Sequence, residues 1–333
     1  MERVLLFFLS ILLSACLPAR QPVLDMHLHA YAVDSQGPPP LGLCAPFPAF
    51  LPWDQRIPYP QSFVAQLKAP PCPNPIWSPQ TDIELRQKTL AELERYNVIA
   101  VTSGPAEKVA QWQSAAPQRV LPALEFQLGP DSLSVEELRK LHDSGRLVVL
   151  GEVTNQYAGI APDDPKMEPF YQLAEQLDLP IGIHIGTGPP GAPYLGASGY
   201  RARLHSPLSV EEVLIRHPKL RLYIMHAGFP MLDDLLAVLY VHPQVYVDLG
   251  VIAYTQPRDV FYRFLRGITE AGFLNRVMFG SDQMVWPEAI GRAIATIREA
   301  PFLSAKQKRD ILYNNAARFL RLTAAQRAAH LRM

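Results

Sequence analysis

From residue 81 onward, short apolar runs alternate with amphipathic stretches of ten or more residues. This alternation is typical of repeated βα units. Runs such as Leu147-Val148-Val149-Leu150 are apolar throughout, as strands are when helices cover both faces of a sheet. Strands are predicted at residues 23–29, 97–102, 119–125, 147–153, 180–185, 220–226, 245–249 and 276–281. Helices are predicted at residues 82–96, 106–114, 135–143, 169–177, 210–216, 231–240, 258–271 and 287–300, with a helical pair at 304–320. These units predict an α/β fold, a single-domain (β/α)8 TIM barrel over residues 23–322.

The composition fits one such domain. The chain has 333 residues, of which 48% are hydrophobic, so it is long enough to bury the core of a barrel. Its formal net charge is zero and it contains no run of Lys or Arg. Because the field that draws proteins onto nucleic acid is missing, we expect a small-molecule substrate and no nucleic-acid partner.

The N-terminus has the features of an export signal. Residues 1–3 form a short charged region, residues 4–13 are largely apolar, and Ser14 and Ala15 precede Cys16. Ten apolar positions are too few to span a bilayer. Leu13-Ser14-Ala15-Cys16 resembles the lipobox of bacterial lipoproteins, which implies a signal peptide at 1–15, lipidation of Cys16 and a tether at 16–22. The expected location is the bacterial cell envelope, with a lipid anchor as the membrane contact. The alternative is an ordinary signal peptide with a chance cysteine.

Cys44 and Cys72 are the other two cysteines of the chain. An exported protein meets oxidising conditions, which favour a disulfide between them. In the loop-entropy model such a bridge stabilises the fold by roughly 3 kcal/mol. The alternative is two unpaired thiols.

The first predicted strand is followed by a long segment, residues 31–80, that is rich in Pro and shows no clear periodicity. Such a length is unusual inside a compact domain unless it has a function. Because it follows a strand, it is expected at the carboxyl face of the barrel, where active sites of this fold lie. It is interpreted as a lid or specificity wall, the alternative being a surface wrap pinned by the two cysteines. Residues 323–333 are interpreted as a C-terminal tail.

Metal-ligand side chains lie at the ends of several predicted strands. In Asp25-Met26-His27-Leu28-His29, the i, i+2 spacing places both imidazoles on one side of a strand. His184, His226 and Asp282 lie at or just after strands five, six and eight. A barrel brings these ends to one rim, so the five side chains are expected to converge on a divalent metal site.

The pattern resembles the amidohydrolase superfamily, in its amidohydrolase-related (amidohydrolase 2) branch. The resemblance covers residues 23–322 and includes Met225-His226-Ala227-Gly228, Phe279-Gly280-Ser281-Asp282 and the closing Asn314-Asn315-Ala316-Ala317-Arg318-Phe319-Leu320. It implies a divalent ion, usually zinc, held by His27, His29, His184 and Asp282. In that family the sixth-strand residue, here His226, binds a second ion or polarises the substrate, so one or two ions are expected. Mixed imidazole and carboxylate sites also accept iron, manganese or nickel.

Strand four ends at Gly151-Glu152-Val153, where many relatives place a carboxylated Lys or a Glu that bridges two ions. A buried carboxylate needs a partner, and a metal pair supplies one. Glu152 is therefore predicted as a ligand. The alternatives are a carboxylate that orients a His or a hydrogen bond to Arg or Asn.

Two of these residues are assigned to catalysis. Beside an ion that activates water, Asp282 is predicted to accept the water proton and return it to the leaving group, the alternative being a pure ligand. His226 is predicted to stabilise charge on the substrate oxygen. Four further residues are candidates for substrate binding. Arg201 and Arg203 are candidate partners of a substrate carboxylate, and Tyr254 and Trp286 are candidate pocket walls. The alternatives are solvated arginines and packed aromatic rings.

Three functions are compatible with this pattern, and they differ in class. The first is a metal-dependent hydrolase acting on a C–N or C–O bond in an amide, cyclic amide, ester or lactone. The second is a metal-dependent non-oxidative decarboxylase of the same superfamily. The third is a non-catalytic metal-binding lipoprotein. Two ions bridged by Glu152 favour hydrolysis, whereas a single ion is compatible with hydrolysis or decarboxylation. The sequence sets no oligomeric state.

Overall fold

The computed structural model describes residues 21–50, 52–186 and 188–333. The predicted signal peptide, Cys16 and most of the predicted tether lie outside this part of the chain. The eight barrel strands are β1 Val23–His29, β2 Val98–Ser103, β3 Val120–Phe126, β4 Val149–Val153, β5 Ile181–His184, β6 Leu222–Met225, β7 Tyr246–Asp248 and β8 Val277–Met278. They form one sheet in chain order, and their pairs are parallel.

Backbone hydrogen bonds join the two ends of the sheet. The amide of Met26 donates to the carbonyl of Phe279 over 2.9 Å, and the amide of His29 donates to the carbonyl of Gln283 over 3.0 Å. Leu28 and Gln283 form a parallel bridge. The predicted (β/α)8 barrel is thus confirmed, and its strand ends form one rim.

Helices lie between the strands and cover the outside of the sheet. They are Asp82–Tyr96, Ala106–Ala115, Val135–Asp143, Glu168–Gln176, Glu211–Arg216, Leu232–Val241, Arg258–Glu270 and Ala289–Glu299, with a one-turn helix at Ile252–Thr255. Short 3-10 turns occur at Asn155–Ala158, Pro165–Met167, Ala192–Tyr194, Ala202–His205, Pro207–Val210, His226–Gly228 and Leu274–Arg276. Helix starts are capped as their sequences suggest: Thr81 accepts from the amide of Glu84, and Ser134 forms a capping box with Glu137.

The core has two parts. The larger cluster lies between strands and helices and includes fully buried side chains such as Tyr171 and Phe261. The smaller cluster contains Leu24, Met26 and Tyr223. The Tyr223 hydroxyl donates to the carbonyls of Met26 and Gly151, which lie on different strands, so its ring crosses the inside of the barrel.

The C-terminal region differs from the predicted helical pair. Residues Ala305–Arg309, a π-helical turn at Asp310–Asn314 and Asn315–Phe319 follow one another without a break. The carbonyl of Ile311, inside the π-helical turn, accepts from the amide of Phe279, which ties this turn to the residue that follows β8. The segment interpreted as a tail also contains a helix, Ala324–Leu331, capped by Thr323.

The insertion after β1 contains a helix, Tyr59–Lys68, and an antiparallel pair of short strands, Gly42–Leu43 and Ile76–Trp77. The sequence pattern predicted neither of them. Three bonds attach the insertion to loops at the carboxyl ends of β5, β7 and β8. The Tyr59 hydroxyl donates to the carbonyl of Pro190, the amide of Phe47 to the carbonyl of Thr255, and the Trp286 indole to the carbonyl of Leu41. The insertion therefore roofs that end of the barrel.

A disulfide joins Cys44 to Cys72, with 6.0 Å between the two Cα atoms and a sequence separation of 28. The loop that it closes carries the helix of the roof. We expect reduction, or the Cys44→Ser/Cys72→Ser double variant, to lower the free energy of unfolding by roughly 3 kcal/mol, because the unfolded chain gains loop entropy. Calorimetric melting with and without reductant measures the change. Reductant should leave the double variant unaffected, and an unchanged melting temperature of the native chain would contradict the expectation.

Across the described residues, we find no helix that combines the length and the apolarity needed to cross a lipid bilayer.

Candidate metal centre

Two imidazoles from β1 form the base of the site. His27 and His29 are buried, and their Nε2 atoms lie 3.2 Å apart. Two ligands about 2.1 Å from one zinc ion, at the tetrahedral angle, are about 3.4 Å apart. The spacing of the two nitrogen atoms therefore suits a shared ion. The other nitrogen of His29, Nδ1, lies 3.2 Å from the Ser103 hydroxyl, so Nε2 is its free ligand atom.

Two carboxylates complete this group. Asp282 Oδ1 lies 3.1 Å from His29 Nε2 and 3.5 Å from His27 Nε2. Glu152 places its two oxygens 3.4 Å and 3.7 Å from the same nitrogens. Carboxylate oxygens from the end of β4 and from the residues after β8 thus lie within 3.7 Å of the two imidazole nitrogens of β1, close to the separation of two ligands on one ion.

His184 and His226 form a second group that also includes Glu152, in which the three ligand atoms lie within 4.8 Å of one another. The two rings are 4.5 Å apart. Nδ1 of His226 lies 3.0 Å from the carbonyl of Gly250, which makes it the protonated nitrogen and leaves Nε2 with its lone pair free. Nε2 of His226 is buried and has no hydrogen-bond partner among the described residues.

The charges of the site favour a cation. Burial lowers the pKa of His27, but the negative charges of Asp282, Asp248 and Glu152 outweigh burial and raise it to about 10. Burial likewise lowers the pKa of His29, and Glu152 and Asp282 raise it further than burial lowers it. Both imidazoles therefore hold a proton more strongly than a free histidine does, and a bound cation would replace that positive charge beside the carboxylates.

The remaining groups stay available as neutral or anionic ligands. Burial, together with the neighbouring imidazoles, lowers the pKa of His184 well below its usual value. Burial also lowers the pKa of His226. Burial raises the pKa of Glu152 to about 7, although His29 and His27 lower it. For Asp282 burial raises the pKa, but positive charge on His27 and His29 outweighs it, so the net shift is downward.

The sequence reasoning did not identify a carboxylate behind His27. Asp248, the last residue of β7, lies with Oδ2 3.3 Å from His27 Nδ1 and accepts the amides of His226 and Gly250 on Oδ1. A Cβ on Gly250 would lie 2.6 Å from His27 Nδ1, so glycine is required for this close approach. Asp248 could have been found in the sequence as an acidic residue at the end of an apolar strand, which is the pattern that identified Glu152.

We expect Asp248→Asn to weaken metal binding by about 10- to 100-fold, because this carboxylate orients His27 and increases its basicity. Competition with a chromophoric chelator measures the affinity. Asp259→Asn, an exposed residue of the helix Arg258–Glu270, is the matched control and should bind metal as the native chain does. Equal affinities of the two variants would contradict the role given to Asp248.

Backbone conformation holds two of the functional side chains. His226 and Asp282 have left-handed φ angles of 58° and 50°. Such angles cost on the order of 1–3 kcal/mol at residues with a Cβ, and they persist when neighbouring contacts fix them. The amide of Asp282 donates to the carbonyl of His27 over 2.6 Å, and Asp248 accepts the amide of His226. These bonds hold the ends of β6 and β8 against β1 and β7.

A cavity of about 670 Å³ lies above the metal ligands and below the insertion. Its floor includes His29, Glu152, His184, His226 and Asp282, and its wall includes both Tyr254 and Trp286. Arg201 and Arg203, predicted as carboxylate partners, are exposed and do not line it. The guanidinium of Arg201 instead donates to the carbonyls of Ser198 and Tyr200, because the loop turns Tyr200 and His205 inward.

Three further polar residues line the cavity and were missed by the sequence reasoning. Tyr31 stacks on His29 with ring centroids 4.3 Å apart, and its hydroxyl donates to Glu125 over 2.9 Å. The hydroxyl of Tyr157 lies 3.1 Å from His184 Nε2. Glu125 was visible as an acidic residue ending a predicted strand. The positions of the tyrosines depend on loop conformations that show no periodicity.

The donor set fits a divalent metal. Imidazole nitrogens and carboxylate oxygens are the usual ligands of zinc and of several first-row metals. Among the described residues, Nε2 of His226 is buried without a hydrogen-bond partner, and the carboxylates lie beside two histidines whose pKa values they raise.

Comparison with known families agrees with the fold and the ligand set. A family model described as Amidohydrolase matches residues 24–322, and the chain belongs to this amidohydrolase family. The resemblance predicted from the sequence is thereby confirmed.

Individual relatives are distant. The protein fluG of Emericella nidulans is 23% identical over 125 residues, 38% of this chain, and the chain spans only 14% of that relative's length. A probable 2-pyrone-4,6-dicarboxylic acid hydrolase from Acinetobacter baumannii matches with a TM-score of 0.56 and 15% identity over 90% of this chain and 99% of its own. A variant of 5-carboxyvanillate decarboxylase from Novosphingobium aromaticivorans, solved with manganese, has a TM-score of 0.52 and 15% identity over 72% of this chain and 81% of its own. These structures share the fold, and their enzyme types include both hydrolase and decarboxylase.

Proposed function

We propose that this chain is a metal-dependent hydrolase that uses activated water to cleave a C–N or C–O bond in an amide, cyclic amide, ester or lactone. The observation that carries the proposal is the position of Asp282. Its Oδ1 faces the ligand nitrogens of His27 and His29, while Oδ2 lies 3.9 Å from Nδ1 of His226. One carboxylate thus borders both the ligand group and the residue that would face the substrate.

When bound, a divalent ion, for which zinc is our first candidate, lowers the pKa of water to about 7 and polarises a substrate carbonyl. His27, His29 and Glu152 would hold it with Asp282. Asp282 accepts the proton of the attacking water and delivers it to the leaving nitrogen or oxygen, as general acid-base catalysis requires. His226, fixed by the carbonyl of Gly250, faces the oxygen on which negative charge develops.

Glu152 gives a reason to prefer hydrolysis. It belongs to both ligand groups, one with His27 and His29 and one with His184 and His226. A carboxylate shared in this way suits two ions, and two-metal sites activate water and stabilise the leaving group together.

Decarboxylation is the second candidate, and it is supported by the structural likeness to a manganese-containing decarboxylase. It needs a substrate carboxylate bound at the ions. The cavity supplies no Lys or Arg from its described lining residues for such a group, so the metal alone would have to hold it.

Isotope labelling separates the two reactions. Protein loaded with zinc or manganese is incubated in 18O-water with a panel of lactones, esters, amides and hydroxybenzoates. Hydrolysis places one 18O atom in the acid product, whereas decarboxylation releases carbon dioxide and leaves the product unlabelled. His184→Ala is the control and should lose turnover while keeping its circular dichroism spectrum. Carbon dioxide release without labelled acid would overturn the hydrolase proposal in favour of the lyase.

We also propose that the chain is an exported lipoprotein anchored through Cys16. The disulfide between Cys44 and Cys72 supports export, because such bonds persist in oxidising compartments. Labelling of expressing bacteria with an alkyne fatty acid should mark the native chain and not Cys16→Ala. Equal labelling, or none in either, would reject the anchor.

A further inference from the structure

The charged side chains that line the cavity are acidic, although the proposed substrates are acyl compounds. Among its described residues there is no Lys and no Arg, whereas Glu125, Glu152 and Asp282 all reach it. Glu152 and Asp282 lie beside the histidine ligands. Glu125 is not part of either ligand group, so its negative charge is available to the substrate.

Glu125 is held in place. It is the penultimate residue of β3, and its Oε2 accepts the Tyr31 hydroxyl over 2.9 Å. Because Tyr31 stacks on His29, the carboxylate is fixed beside the ligand group. Glu125 and Glu152 are paired in the register of the adjacent strands β3 and β4. The two carboxylates therefore lie next to each other at the rim of the barrel.

The opposite part of the lining is aromatic. The insertion contributes Phe47, Phe50, Tyr59 and Phe63, and the barrel contributes Trp286. Phe47 and Phe50 pack at 5.5 Å between centroids, and Tyr59 and Phe63 at 6.2 Å. Phe47, Tyr59 and Phe63 are only half-buried and Phe50 is 55% exposed, so apolar surface remains for a ligand to cover.

From this distribution we propose that the site selects substrates with an apolar or aromatic group against the roof and no negative charge beyond the cleaved bond. Glu125 is the specificity-determining residue that disfavours anionic substrates. The predicted selectivity in turnover rests on the proposed hydrolase function, whereas the predicted preference in binding does not. A second carboxylate on the substrate would meet a fixed like charge with no basic side chain to offset it, which costs about tenfold or more in affinity.

The experiment uses three metal-chelating probes that differ only at one ring position. They are benzohydroxamic acid, its 4-carboxy derivative and its 4-aminomethyl derivative, titrated calorimetrically into the zinc-loaded protein. We expect the neutral probe to bind about tenfold or more tightly than the carboxylated one, and the cationic probe at least as tightly as the neutral one. Glu125→Gln should reduce the ratio of the affinity for the neutral probe to the affinity for the carboxylated probe by about tenfold. Glu107→Gln, which removes the same charge from an exposed helix position, should leave the preference unchanged.

A second variant tests the aromatic wall. Phe63→Ala should weaken benzohydroxamic acid about tenfold, while acetohydroxamic acid, which has no ring, should change less than about twofold. Equal or tighter binding of the carboxylated probe, or failure of all probes to bind, would overturn the proposed selectivity.

Turnover is tested separately with methyl benzoate and monomethyl terephthalate. A protein that binds the probes with the expected preference but hydrolyses neither ester would refute the hydrolase and leave the binding selectivity standing. Hydrolysis of the anionic ester in preference to the neutral one would refute the selectivity and leave the hydrolase.

Discussion

Asp282→Asn is expected to lower kcat/KM by about 10²- to 10⁴-fold while the barrel stays folded. Asn keeps the size of the side chain and tolerates the left-handed backbone at this position, where φ is 50°. It removes the negative charge and the capacity to accept a proton. The substituted residue therefore keeps its place between His29 and His226 but cannot take the proton of the attacking water.

Metal content and the pH profile distinguish proton transfer from simple ligation. Elemental analysis of the variant should still find bound metal, because His27, His29 and Glu152 continue to face one another. The acidic limb of the pH profile of kcat/KM should disappear, since the group that must be ionised is absent. Asp233→Asn, in the first turn of an outer helix, serves as the matched control and should retain full activity. Turnover of Asp282→Asn within a few-fold of the native rate would remove Asp282 from proton transfer.

The principal site was predictable because two regularities coincide. The alternation of strands and helices shows where in the sequence each strand ends. Residues of the types that bind metals occur at the ends of β1, β4, β5, β6 and β8. The two-residue period of a strand is enough to predict that His27 and His29 point to the same side. The energetic cost of an unpaired buried carboxylate is enough to predict that Glu152 has a partner. The structure brings all of these side chains together, with ligand atoms from separate strands within 4 Å.

The rest depended on contacts that periodicity does not encode. Asp248 and Glu125 lie at strand ends as Glu152 does, but neither strand period nor the spacing of the histidines distinguishes them from other strand-end residues. Arg201 and Arg203 are predicted to bind a substrate carboxylate because of their charge and their place in the loop after strand five, whereas the structure turns both side chains to solvent. The roof helix Tyr59–Lys68 was hidden by the surrounding prolines, although Pro60 lies in its first turn, where the missing amide costs no helical bond.

Metal removal is expected to destabilise the fold, and to do so more strongly as pH rises. In the metal-free protein the pKa of His27 is about 10 and that of His29 is also raised, both above the unfolded value of 6.5. Protons on these two residues therefore stabilise the metal-free fold fully below pH 6.5, and for His27 this contribution is lost as pH rises through about 10. Glu152, with a pKa of about 7 in place of 4.5, changes stability in the same direction, because its folded form loses stability as it ionises between these values.

The bound cation replaces those protons, so the metal-loaded protein should not share the loss. At a fixed concentration of free metal, we expect the difference in melting temperature between metal-loaded and chelator-treated protein to widen from pH 6 to pH 9, because metal affinity rises as the competing protons leave. Where that concentration is 1,000 times Kd, the metal adds about 4 kcal/mol. Zinc uptake at pH 7 should release about one proton or more, because the pKa of His27 is about 10 and ligand imidazoles must be neutral. Calorimetric titration in buffers of different ionisation enthalpy counts these protons. His217→Ala, at a histidine of the outer helical layer bound to Glu168 and Glu175, is the control and should release as many. A gap in melting temperature that stays constant or narrows with pH, or zinc uptake without proton release, would mean that the cluster of His27, His29, Glu152 and Asp282 is not where the cation binds.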